Sequence, residues 1–260
     1  MMLQAINQGK SSFYKRYLGY REKKERVSEE DELTSLILGP LELMSSQLSA
    51  IFWGTLLSEF KIPYVPTNLP EKAEIAFWKS RKNILTGRTI EPDIVVDLKW
   101  PSEENFLLLI EMKWRSPLSG EDQLHRQWTE YLSEEERKKA IHLFIAPETS
   151  EALKASGARD VWSGRLLAIS WFDILSILQD KIRKNDRNFE PLMPWMNQVV
   201  ALLDKLGIRP FRGFKDFKMP LNSTTKELKH LFWNGFRGLT YLAEPALITA
   251  NDQIFFNNKV

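Results

Sequence analysis

The 260-residue chain has no cysteine. Disulfides are therefore excluded, and so is any zinc site that relies on thiolates. Histidine is almost as scarce: His125, His142 and His230 stand far apart, which argues against a histidine-rich metal centre. No apolar run approaches the length that crosses a bilayer, and the opening stretch MMLQAINQGKSSFYKRY lacks the apolar core of a secretion signal. The expectation is a cytoplasmic protein without membrane contact. A dominant charge is missing as well. Against 36 Lys and Arg stand 34 Asp and Glu, a net of +2, so the whole molecule is not a polycation.

What the chain does have is apolar content, 43% of its residues. At this length that is enough to bury one large domain, or one domain with a small appendage. The most informative stretch runs from Glu91 to Tyr131, EPDIVVDLKWPSEENFLLLIEMKWRSPLSGEDQLHRQWTEY. Two runs of branched apolar residues, Asp93–Leu98 and Phe106–Ile110, flank the turn signal Pro101-Ser-Glu-Glu-Asn105. They read as largely buried strands. Glu111 and Lys113 follow the second run and share one strand face, about 6.6 Å apart. Two charges on one face at a strand's end are rarely there for packing. If the strands pair as a hairpin, Asp93 comes level with Glu111. Asp97 shares its face with Asp93 but lies about 13 Å further along the strand, too far for a common metal shell. Hard cations such as Mg²⁺ take one or two carboxylates plus waters and phosphate oxygens. A lysine beside them can orient a water or offset charge on a phosphate. That combination suits phosphodiester hydrolysis.

Pro92-Asp93 followed by Glu111-x-Lys113 resembles the signature of the PD-(D/E)XK nuclease superfamily, and Gln127-x-x-x-Tyr131 resembles the extra motif of its RecB-like branch. Glu30-Asp-Glu-Leu-Thr34 resembles the first core helix of many members. The similarity covers roughly residues 28 to 180, and no family likeness extends over the C-terminal third. The resemblance implies a restriction-endonuclease-like αβββαβ core, an α/β fold with a mixed central sheet flanked by helices. It implies Mg²⁺ or Mn²⁺ bound by Asp93, Glu111 and the Met112 carbonyl, with Glu30 completing the outer shell. Lys113 would orient or activate the attacking water, and Gln127 and Tyr131 would support the site or the scissile phosphate. The implied substrate is DNA, double-stranded, in restriction, repair, transposition or anti-phage defence, with a homodimer or a larger complex as the setting. Two other readings stay open. One is a nuclease-fold module that binds nucleic acid or scaffolds a complex without cutting. In the other, Glu111 and Lys113 are only a surface pair and Asp93 a turn residue.

The remaining sequence divides around this centre. Residues 1–27 form a basic, aromatic lead-in with seven cations against two acids between positions 10 and 26, a net of +5. It could lie on the core, along nucleic acid or against another subunit, and its aromatics favour packing. Residues 28–185 form the expected core. Within it, an amphipathic helix from Ser28 to Phe52 is kinked or split at Gly39-Pro40. Glu30, three and seven residues before Leu33 and Ile37, sits at the edge of its buried stripe. A strand at Ala73–Lys79 and a turn at Thr86-Gly87 follow. One helix, Glu121–Glu136, lines up Gln123, Gln127 and Tyr131 on a single row. Strands at Lys139–Ala146 and Arg165–Ser170 and a helix at Trp171–Lys184 complete the pattern, and Lys181–Asn188 reads as a linker. Residues 186–260 form an extension beginning with a helix at Pro191–Leu206. Between positions 205 and 238 it carries eight cations against two acids, a net of +6, interleaved with Phe211, Phe214, Phe217, Phe232, Trp233 and Phe236. Such interleaving suits base stacking with backbone contacts, and equally a small core with a charged rim.

Overall fold

The computed structural model describes residues 2–8, 10, 12, 14–15, 29–62, 65–101, 105–114, 117–120, 122–209, 231–233 and 239–241. Most of the basic lead-in and most of the aromatic tail lie outside these residues, as does Ser28. The chain divides into two compact units, Met1–Phe211 and Arg212–Val260. In the second, β8 (Leu231–Trp233) and β9 (Leu239–Tyr241) pair antiparallel.

The first unit is built on a five-stranded mixed sheet. Its strands are β1 (Lys72–Phe77), β4 (Ile94–Lys99), β5 (Asn105–Met112), β6 (Ala140–Ala146) and β7 (Leu166–Ser170), in that spatial order. The first three are antiparallel neighbours, and β5, β6 and β7 run parallel. The parallel half explains the apolar run of β6, broken only by His142, in which all seven residues are buried; a parallel strand is covered on both faces. A separate two-stranded hairpin, β2 (Arg81–Lys82) and β3 (Thr89–Ile90), interrupts the chain between β1 and β4.

Alternate residues of the sheet feed two cores. Ile94, Val96, Leu108, Ile110, Leu143 and Ile145 pack against α2 (Glu29–Glu42), α3 (Ser46–Glu59), α7 (Trp171–Lys184) and α8 (Met193–Lys205). Val95, Leu109 and Phe144 face a smaller cluster with Leu124, Trp128, Tyr131 and Ala152, the last on α6 (Ser150–Ala158). The period of two along each strand thus becomes two apolar layers. The short helix α1 (Met2–Asn7) buries Leu3 and Ile6 in the larger core, and the Asn7 amide donates to the Gln198 carbonyl and side chain on α8.

Four sequence expectations are corrected. The first helix does not break at Gly39-Pro40. Pro40 lies inside α2, and the chain turns at residues 43–45, where the Ser45 hydroxyl accepts from Leu48 N–H and starts α3. Proline removes one donor, but reorientation falls where a cap can satisfy the new helix end. The strand expected to reach Lys79 stops at Phe77, and Trp78 takes a left-handed turn. The helix expected over Glu121–Glu136 is three pieces: α4 (Gln123–Arg126), a π-helical segment (Gln127–Tyr131) and α5 (Glu134–Lys138). A capping box at Ser133 and Glu136 starts α5 and ends the continuous run. Lys181–Asn188 is not a linker. It is the last turn of α7, a left-handed cap at Asn185, and the start of a 3₁₀ turn (Arg187–Leu192) that leads into α8. Among the described residues no helix is long and apolar enough to cross a membrane.

Candidate active site at the end of strand β5

The β4–β5 register joins Ile94 to Ile110. Continued by one residue, it sets Asp93 opposite Glu111, as the hairpin reading anticipates. The chain closes that corner with a hydrogen bond from Met112 N–H to Asp93 Oδ2 at 2.6 Å. β5 then carries Glu111 and Lys113 inward, 1% and 7% exposed. Lys113 N–H donates to the Ile145 carbonyl on β6, and Trp171 Nε1 donates to the Lys113 carbonyl, so the backbone beyond β5 is held from two sides.

The polar groups here come from both helical layers. From α2, Glu30 Oε2 accepts from Lys113 Nζ at 3.1 Å and Oε1 from Trp114 N–H at 3.2 Å. Lys113 Nζ also meets Glu111 Oε1 at 2.8 Å. From the opposite layer, Gln123 Nε2 donates to Glu111 Oε1 and Gln127 Nε2 to Glu111 Oε2, both at 2.6 Å. Asp93, Glu111, Lys113, Gln127 and Glu30 are therefore brought to one place.

Tyr131 is buried but does not join that network: among the described residues its hydroxyl has no hydrogen-bond partner, and the Arg81 guanidinium lies over its ring at 4.5 Å. A residue four further on completes a row on an α-helix; the wider π turn moves Tyr131 off the row that Gln127 heads. Burial raises the pKa of its phenol.

Three residues of this network, Gln123, His142 and Trp162, lie outside the sequence motif. Gln123 belongs to the uncharged polar row already legible in the sequence. His142 does not. It sits on β6 beside Leu109 of β5, fully buried. Trp162 Nε1 donates to His142 Nδ1 at 3.0 Å, so the ring proton sits on Nε2 and is donated to Gln127 Oε1 at 3.1 Å. Burial pushes the His142 pKa down to about 3, with His125 nearby adding to the effect, so the ring is neutral and its tautomer is set by its partners. The chain Trp162–His142–Gln127–Glu111 fixes which end of the Gln127 amide faces the carboxylate. The sequence signal was one polar residue in the apolar run KAIHLFIA.

Electrostatics follow from this crowding. Burial raises the Asp93 carboxyl well above its ordinary range, and the neighbouring Glu111 raises it further. Burial also raises Glu111, against the opposing pull of Lys113 and Gln127. Burial alone would lower the Lys113 ammonium, but Glu111 and Glu30 outweigh it and the net shift is upward. Lys113 is thus a permanent cation in ordinary buffers.

Among the described residues no three His, Cys, Asp or Glu side chains gather into a metal-holding group. Two neighbouring carboxylates whose pKa values are both raised by burial, that of Asp93 further by Glu111, do fit a cation, because a positive charge between them would relieve both burdens. That sparse donor set, with a backbone carbonyl and water, is what Mg²⁺ or Mn²⁺ takes. No family model, curated protein or solved structure matches the chain.

Proposed function

We propose that the protein is a metal-dependent nuclease that hydrolyses DNA phosphodiester bonds on a restriction-endonuclease-like core. One observation carries the reading: Asp93, Glu111 and Lys113, drawn from residues 18 and 2 positions apart in sequence, meet at one buried corner, where a backbone hydrogen bond and Gln127 hold the two carboxylates.

In this reading Asp93, Glu111 and the Met112 carbonyl would hold Mg²⁺ or Mn²⁺, which supplies Lewis acidity toward a phosphate oxygen and lowers the pKa of water. The chain's own residues do the remainder. Lys113, protonated throughout, cannot serve as a general base. It holds a water or a phosphate oxygen by donation and offsets charge as the bond to phosphorus forms. Glu30 keeps the ammonium in place by its own ion pair. Gln127 and Gln123 orient Glu111 without adding charge to a crowded site. Tyr131 lies at the end of the π segment, against Arg81, and takes no part in holding Glu111.

The second reading, a module that binds nucleic acid without cutting, draws on the same geometry: both Glu111 oxygens already accept from Lys113, Gln123 and Gln127. The test incubates the protein with closed-circular and linear DNA and RNA in Mg²⁺, Mn²⁺ or EDTA. Metal-dependent opening of circles is expected, and Lys113→Ala should lower its rate by at least about a hundredfold. Undiminished cleavage by the folded variant would sink the assignment. Salt-sensitive binding without turnover in any divalent ion would favour the silent module.

A further inference from the structure

The hairpin formed by β2 and β3 has a composition unlike its surroundings. From Trp78 to Ile90, WKSRKNILTGRTI, it carries Lys79, Arg81, Lys82 and Arg88 and no acidic residue. At its tip Ile84 and Leu85 are 97% and 95% exposed. Adjacent large aliphatic residues at full exposure contribute nothing to the fold's own core.

The tip is nevertheless held rigidly. Asn83 Oδ1 accepts from Leu85 N–H and Thr86 N–H, both at 2.9 Å, and Gly87 closes the loop in the left-handed region, φ 68°. Asn83 N–H donates to the Arg88 carbonyl, and Gly87 N–H to the Asn83 carbonyl. The hairpin is also fastened to the π segment of the candidate site. Asn83 Nδ2 donates to the Glu130 carbonyl, Thr86 Oγ1 to the Glu130 carboxylate, and Arg81 to Glu136 and the Tyr131 carbonyl. Glu130 also pairs with Arg88. These acids compensate two of the four cations; Lys79 and Lys82 remain exposed on the hairpin.

We infer that this hairpin is a wedge that enters a nucleic-acid duplex, with Ile84 and Leu85 unstacking one base step and Lys79 and Lys82 on the flanking phosphates. The inference rests on the nucleic-acid reading above and adds where and how the duplex is gripped. Two side chains on a narrow tip are far too little for a stable protein interface, which buries on the order of 1,000 Å² or more. They are what an unstacking wedge requires, because partial insertion of Ile or Leu between base pairs needs one or two apolar side chains on a stiff support. The basic flanks complement phosphate rather than an apolar protein face. Leu85 precedes Asp93 by eight residues, a reach of at most about 29 Å. At about 3.4 Å of duplex per base pair, and with a side chain's length added at each end, the disturbed step lies on the order of one helical turn or less from the bond cut.

The test uses the full chain in EDTA, so that binding is read without cleavage. The probe is a duplex two helical turns long with 2-aminopurine at each position in turn; binding is followed by anisotropy and unstacking by fluorescence. Wild type should brighten the probe at one step. Ile84→Ser/Leu85→Ser, at exposed positions that leave the core untouched, should lose the brightening and bind about tenfold more weakly with the salt slope unchanged. Lys79→Gln/Lys82→Gln should keep the brightening at saturation and flatten the salt slope by about 0.9 for each phosphate that is no longer neutralised. A double-serine variant that brightens the probe as wild type does overturns the wedge. So does wild-type binding without brightening, and so does a serine variant that turns a dimer into a monomer in sedimentation, which would make the tip an interface between copies. Cleavage with metal is measured separately: a wild type that cuts without unstacking loses the wedge and keeps the nuclease, whereas one that neither cuts nor binds duplex loses both.

Discussion

Asp93 is the residue at which ionisation and stability meet. Its pKa is raised by burial and by Glu111, so the folded state retains a proton that the unfolded chain releases. The folded protein then binds more protons, and stability falls as pH rises from the ordinary carboxylate range through the raised value. Asp93→Asn keeps an acceptor for Met112 N–H and removes the charge. In EDTA at pH 8 this variant should be more stable than wild type, with the gap closing as pH falls to the ordinary carboxylate range. Thermal melts across that range check the sign, and a gap independent of pH would remove the proposed cause. Mg²⁺ should raise the midpoint of wild type and leave that of Asp93→Asn unmoved. His142 gives a second prediction. His142→Phe strips the partners from Gln127 Oε1 and Trp162 Nε1, two buried polar atoms worth about 1–3 kcal/mol each when orphaned. Urea denaturation should show that loss, and metal-dependent cleavage should fall. His142→Gln, which can return a donor to Gln127, should recover more activity than stability.

At the scale of elements, the segment from Gln123 to Lys138 supplies the two side-chain amides that touch Glu111. Its break at Leu132, where the backbone becomes extended, ends the π turn and lets Ser133 begin a new helix. Ser133→Ala deletes the acceptor for Glu136 N–H and should cost about 1 kcal/mol. The loss should loosen the Glu136 carboxylate that binds Arg81, and hydrogen exchange should quicken in α5 and β2 while β5 stays protected. Faster exchange throughout β5 would show that the segment is less separable than its hydrogen bonds imply. The same segment carries the lesson about reading rows from spacing. Gln123, Gln127 and Tyr131 lie four apart, yet only the two glutamines reach Glu111, because the third falls on a wider turn.

For the whole molecule, the two cores and the entire candidate site lie within Met1–Phe211. A chain ending at residue 211 should unfold in one cooperative transition at the midpoint of the full chain, by circular dichroism, and keep its response to Mg²⁺. Loss of the cooperative transition would mean that the second unit contributes to the first one's stability. Helix α8, which the sequence assigns to the extension, belongs to the first unit: Trp195, Met196, Val199 and Leu202 are buried in the larger core.

The strands were legible because their apolar runs are short, branched and bounded by turn residues, and those runs alone placed β1, β4, β5, β6 and β7 within two residues of their ends. The β4–β5 register was legible too, since Pro101–Asn105 leaves few ways to close the hairpin, and with it came the pairing of Asp93 with Glu111. Spacing could not reveal contacts between elements distant in the chain. Lys113 meets Glu30 across 83 residues, and His142 meets Gln127 from a neighbouring strand. Nor could it reveal the π turn, because i, i+4 spacing assumes the α-helical period that this segment abandons. Local periodicity is written in neighbouring residues, whereas a buried polar network exists only once two layers have closed over it and set its donors beside their acceptors.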